Sequence, residues 1–202
     1  MKKNTEDYFS FIEDDNTKNL LTRDLQETHE CIRKGLNKAS LVMIGSLIEC
    51  TLYFHISSKD ELKSQIPGFD KRDIKLFDLL KWARDFKIID ETLYKLADPI
   101  REYRNMIHPR VQERLQIELS DQLVQIGYNT FLEITRRLNK HHNHLKNTEV
   151  KSIIIRKIKD IHGRNATDAD FQVYIPILDK YGSHKGALLI EKSLISSKMG
   201  TK

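Results

Sequence analysis

Residues 38–57 read KASLVMIGSLIECTLYFHIS. On a helical wheel their apolar side chains fall on nearly every side, the pattern of a helix wrapped by others. The apolar run from Leu41 to Phe54 carries Glu49 inside it and is too short to span a bilayer, so it reads as a buried central helix.

Outward from this helix the chain stays helical. Upstream, from about Lys18, the residues Leu20, Leu21, Leu25, Cys31, Ile32 and Leu36 recur near helical spacing with charges between them. Downstream, Pro67-Gly68 breaks the chain. A helix is then expected from Lys71 to Phe86, with Ile74, Phe77, Leu80 and Phe86 facing inward and Trp82 packed there or at an interface. Asp90 suits an N-cap and Glu91 the positive end of the next helix dipole. That helix is expected to run from Glu91 to His108, on whose last turn His108 sits, because Pro109 disfavours helical geometry in the residue before it. A further helix spans Ser120 to Leu138, and the polar stretch Asn139–Thr148 reads as a linker. Helical patterns return at Glu149–Ile161, Asp168–Tyr181 and Lys185–Ile195, with Gly163 and Gly182 where helix ends would fall. The expected fold is all-α: an up-and-down bundle over 18–140, a flexible or loosely docked lead-in at 1–17 whose Tyr8, Phe9, Phe11 and Ile12 can pack, and a C-terminal helical appendage at 147–202, docked on the bundle or on a second subunit.

Composition agrees with a folded, helix-rich protein. Hydrophobic residues make up 39% and charged residues 31%, and only 8 Gly and 4 Pro punctuate the 202 residues. Two cysteines, Cys31 and Cys50, make no disulfide framework and read as small packing residues, which fits a reducing cytoplasm. The N-terminus leads into acidic sequence rather than an apolar signal core, so neither export nor a membrane is expected. The net charge of +5 is unevenly placed: residues 1–30 hold 4 Lys/Arg against 8 Asp/Glu, and residues 136–202 hold 14 against 6. A basic C-terminal third can contact nucleic acid through phosphate neutralisation, or be a solvated surface.

The chemistry concentrates in Arg101-Glu-Tyr-Arg-Asn-Met-Ile-His108-Pro109. With Ile100 at zero on a wheel of about 100° per residue, Leu96, Tyr103 and Ile107 form a packing stripe. Arg104, His108, Arg101 and Asn105 then share one flank beside it, at about +40°, +80°, +100° and +140°. A histidine with an ordinary pKa of about 6.5 takes or gives a proton at neutral pH. An arginine nearby supplies a planar fork of donors for a phosphate and its transition-state charge. Asn105 can orient the imidazole or bind a substrate oxygen. Such a set suits metal-independent RNA cleavage, in which a ribose 2′-OH attacks the adjacent phosphate; a structural cluster at a helix end is the alternative. Glu49, inside the apolar helix, needs a cation, and Arg104 or Arg101 is its natural partner.

KWARDFKIIDETLYKLADPIREYRNMIHP, residues 81–109, resembles the third and fourth helices of prokaryotic members of the higher eukaryotes and prokaryotes nucleotide-binding (HEPN) family. The preceding KASLVMIGSLIECTLYF is similar to that family's glutamate-bearing second helix. The resemblance covers Lys18 to Leu138, about 60% of the chain, and is sharpest at RNMIHP. It implies a helical bundle, homodimerisation through the motif helix, and in many members endoribonuclease activity within toxin or phage-defence systems. The family motif is an arginine, usually followed by a polar residue, separated from a histidine by four to six intervening residues. Arg101 meets the spacing with six intervening residues but is followed by Glu102; Arg104 is followed by Asn105 but has only three residues between it and His108. Many members are non-catalytic, so the alternative is an interaction module binding RNA or a protein such as an antitoxin. A small-molecule or nucleotide-binding helical protein is a third reading.

No cofactor or metal is expected. His141, His142 and His144 lack the Cys or acidic company of a metal site and read as solvated linker residues. Neither a glycine-rich phosphate loop nor a nucleophile elbow is present.

Overall fold

The computed structural model describes residues 8–71, 73–115 and 118–199, with the backbone alone at 71, 112, 115, 181–183 and 199. All its regular structure is helical, and no strand occurs among the described residues. The elements are α1 (Asp15–Arg33), α2 (Asn37–Ser57), α3 (Asp60–Lys63), α4 (Leu76–Asp85), α5 (Glu91–Arg104), α6 (Pro109–Leu115), α7 (Asp121–His162) and α8 (Asp168–Met199), with 3₁₀ turns at Phe69–Lys71 and Asn105–Ile107. The chain divides into two compact units between His141 and His142.

In the first unit α2 is the centre. Leu41, Ile44, Ile48, Leu52 and Ile56 are all fully buried. By length and composition this 21-residue helix, unlike its shorter apolar run, is long enough to cross a membrane, and more than half of its most apolar stretch is buried inside the protein. Buried hydroxyls along the bundle are satisfied within their own helices: Thr28 donates to the Asp24 carbonyl at 2.7 Å and Thr51 to that of Leu47 at 2.8 Å. Asp90 caps α5 as expected, its carboxylate accepting from the Leu93 N–H at 2.9 Å.

Several boundaries differ from the sequence reading. Residues 1–7 of the expected lead-in lie outside the described residues; of the residues expected to be able to pack, Phe9, Phe11 and Ile12 are core residues and Tyr8 packs against them partly buried, so this part is firmly docked. Phe9 meets Phe131 at 6.3 Å between ring centroids, and the Ser10 hydroxyl bonds Asn139 Oδ1 at 2.5 Å. The expected third helix begins at Leu76 instead of Lys71, and Phe77 faces out at 46% exposure. Trp82 is partly buried against the core, 6.0 Å from the Phe69 ring. The expected linker at 139–148 is helical, part of the unbroken 42-residue α7. Polar residues interrupt apolar content there without Gly or Pro to interrupt the backbone, so the helix propagates through them.

The second unit has its own core, built from Val150, Ile153, Ile154 and Ile158 of α7 and Tyr174, Leu178, Ile190 and Leu194 of α8. Gly163 ends α7 with φ +66°. α8 then doubles back on itself. A Cβ built on Gly186 would lie 3.0 Å from Leu178 Cα, whereas positions eight apart in a straight helix are about 12 Å apart. Lys146–Asp179 pairs the first part of α8 antiparallel to α7; Lys157–Glu191 and the Lys198 bond to the Ile161 carbonyl set its last part parallel. The reversal falls between Leu178 and Gly186, the interval holding Gly182, so the unit is a three-helix bundle although α8 is helical throughout.

Candidate functional site

The motif helix stops earlier than Pro109. α5 ends at Arg104, Asn105–Ile107 tighten into a 3₁₀ turn, and His108 is extended at φ −88°, ψ +118°. Pro109 opens α6, where its missing N–H costs nothing and its ring fixes the preceding residue in extended geometry. His108 is therefore a junction residue between two helices, and the wheel drawn through α5 does not reach it. The tightened turn sends Met106 inward at 1% exposure and Ile107 outward at 58%. Leu96 is also exposed; of the expected stripe Ile100 is buried and Tyr103 packs partly buried against the core, joined by Leu93 and Ala97.

Each sequence-predicted side chain has a definite setting. Glu49, 17% exposed, reaches across from α2 to the Arg104 guanidinium at 2.5 Å. Burial pushes its carboxyl pKa up, and Arg104 opposes that rise. Arg101 is held by two carboxylates on its own helix, Asp98 at 3.1 Å and Glu102 at 2.7 Å, and its guanidinium lies 5.7 Å from the Phe77 ring centre. Glu102 also holds Arg114 of α6 at 3.1 Å. Asn105 is half-buried, and its carbonyl accepts the His108 N–H at 3.1 Å. The His108 imidazole is exposed and bonds to no described residue. The structure thus joins Glu49 to Arg104 and Asn105 to His108, and holds Arg101 apart among its own carboxylates.

Gly45 is the residue that sequence reasoning missed. A Cβ on it would lie 2.6 Å from Arg104 Cβ and 3.4 Å from the Ile100 carbonyl oxygen. The bare glycine backbone lets α5 lie against α2 and lets Arg104 cross it toward Glu49, one turn further along. The available signal was a glycine four residues ahead of the only acid in an apolar helix. An apolar groove of about 540 Å³, lined by Leu36, Ala39, Val42, Met43 and Ile107, adjoins the same junction.

The histidine tract is partly internal. Buried His55 meets His141 at 3.0 Å between Nε2 and Nδ1, and Phe11 packs edge-on against His55. His141 is thus a helix-to-helix contact of the first unit and not a solvated linker residue. No metal-holding group of three His, Cys, Asp or Glu occurs among the described residues. Burial raises the Cys50 thiol pKa, as suits a packing residue. Neither a family model nor a curated protein nor a solved structure matches the chain.

Proposed function

We propose that the chain is a metal-independent endoribonuclease of HEPN type, acting through His108, Arg104 and Asn105 with Glu49 orienting Arg104. The observation that carries this reading is a solvent-facing histidine at a helix junction, four residues from an arginine anchored by the half-buried carboxylate of Glu49. Arg104 is preferred over Arg101 for the phosphate because Arg101 already has two carboxylates to satisfy it. In the proposed step His108 takes the ribose 2′-OH proton as O2′ bonds to phosphorus. The P–O5′ bond breaks, and a protonated imidazole returns a proton to the leaving oxygen. In a homodimer formed through the motif helix, the two copies of His108 serve as base and acid. The test is RNA cleavage in EDTA by wild type and His108→Ala. Products ending in 2′,3′-cyclic phosphate, lost in the variant, support the proposal; cleavage that requires Mg²⁺ and leaves 5′-phosphates removes it.

The second reading is a non-catalytic HEPN module that binds a protein or RNA. Two observations favour it: the carboxylates on Arg101, which make that arginine structural, and the apolar groove beside Ile107, which suits a partner's side chains. A protein that cleaves no RNA, yet whose partner binding falls on Ile107→Ser, fits this module.

A further inference from the structure

The net charge of the chain resides in its second unit. Residues 142–202 hold 11 Lys/Arg against 6 Asp/Glu, whereas residues 1–141 hold 23 of each. Within the second unit Lys157, Arg164 and Lys146 are paired with Glu191, Asp170 and Asp179. Lys151, Arg156 and Lys159 of α7 are exposed and have no salt-bridge partner among the described residues.

These three cations share a face. At about 100° per residue, Lys151, Ser152, Ile155, Arg156 and Lys159 fall within about 140° of arc, opposite the side that Val150 and Ile153 bury, with Ile158 adjoining it at the Lys151 edge. Glu149 and Asp160 flank the face on its Arg156 side. Lys151 and Lys159 are about 12 Å apart along the axis, with Ile155 between them. At one end of the row the Lys151 ammonium lies 5.7 Å from the centre of the half-buried Phe171 ring. A shallow hollow of about 470 Å³ opens there, lined by Lys151, Asp168, Phe171, Gln172, Ile175 and Pro176.

We propose that this face binds single-stranded nucleic acid, its phosphates along Lys151–Lys159 and a base against Phe171 in the hollow. A narrow cationic row beside an aromatic platform is what a single strand requires, because backbone charge and base stacking are satisfied by neighbouring groups. An anionic membrane is drawn by the same charge. Asp168 in the hollow, however, repels a lipid phosphate while it accepts from a base amino group, and Ile155 alone gives little to insert. The inference stands apart from the cleavage proposal, since none of these residues belongs to the motif.

The experiment uses the full chain carrying His108→Ala in every arm, so that cleavage does not intrude. Anisotropy of labelled single-stranded RNA and DNA of one sequence is read across a salt series. The triple Lys151→Ala, Arg156→Ala, Lys159→Ala is compared with the triple Lys34→Ala, Lys81→Ala, Lys87→Ala, which removes equal charge from the first unit, and helicity is checked by circular dichroism. The face triple is expected to bind at least about tenfold more weakly, with a log–log salt slope shallower by about 2, since three phosphate contacts are lost. Weakening on RNA alone, or on both strands, supports the surface and separates its two sources. Absent oligonucleotide binding, equal loss in both triples, or loss confined to phosphatidylserine vesicles overturns it.

Discussion

At position 45 a single methyl group is the difference between a close helix crossing and a clash. Gly45→Ala places a carbon 2.6 Å from Arg104 Cβ, so α5 must shift or Arg104 must leave Glu49. The expected cost is about 1–3 kcal/mol in urea unfolding, typical of overpacking, and a variant as stable as wild type would contradict the crossing described here. Glu49 gives a pH signature at the same place. Its folded pKa lies above its ordinary 4.5, so the folded state holds the proton more tightly than the unfolded chain. Its ionisation therefore withdraws stability as pH rises from the unfolded pKa through the folded one. Unfolding of wild type and Glu49→Gln at pH 4, 5.5 and 7 is expected to shift in favour of the Gln variant as pH rises. The opposite trend would mean that attraction to Arg104 outweighs burial. If the cleavage proposal holds, Arg104→Lys loses the planar fork and most of the activity, while Arg101→Lys retains more of it. Equal activities for the two variants would remove the preference for Arg104.

At the scale of elements, α8 starts with a reciprocal cap. Asp170 accepts from the Thr167 N–H at 2.7 Å and from its hydroxyl at 2.8 Å, and holds Arg164 at 2.7 Å. The Arg164 bond drives the Asp170 pKa far down, so its contribution is present above the ordinary 3.8 and is lost as pH falls below it. Asp170→Asn is expected to raise hydrogen exchange at the start of α8 at pH 7, with the difference from wild type shrinking at acid pH. An unchanged exchange pattern would leave the cap without a stabilising role. What could be read in advance followed from strong periodicity or explicit punctuation: α2 from its all-round apolar wheel, the start of α5 from Asp90, the end of α7 from Gly163. What could not was set by tertiary context. Nothing local marks Arg104 as the last α-helical residue of its segment; the 3₁₀ turn that follows buries Met106 in place of Ile107. The stretch 139–148 misled because polarity was read as a break, although a polar helix needs only an unbroken backbone and packing at its ends. Of the site, a pairing of Glu49 with Arg104 or Arg101 was legible because a carboxylate inside an apolar helix demands a cation; the choice of Arg104 was not. The clearance at Gly45 was not, since it exists only once two helices cross.

For the molecule as a whole, continuity through 139–148 has a direct readout. Lys140 and Lys146 lie inside α7, whereas Arg164 follows the Gly163 turn. Limited trypsin digestion is expected to cut after Arg164 faster than after either lysine, and early cleavage at Lys140 or Lys146 would restore the linker. Phe9 measures how much of the first unit depends on a segment outside its helices. The ring is fully buried, so Phe9→Ala is expected to cost about 3–5 kcal/mol, measured by urea unfolding.

The Ser10–Asn139 bond joins residues 129 positions apart. A ribosome adds about 5–20 residues per second, so roughly 6–26 s pass between the synthesis of those two partners. For nearly all of that interval Phe9 lacks Phe131, the ring it packs against. The first unit is therefore a late closer on the ribosome. A pause in translation before residue 131 prolongs the exposure of the Phe9 ring.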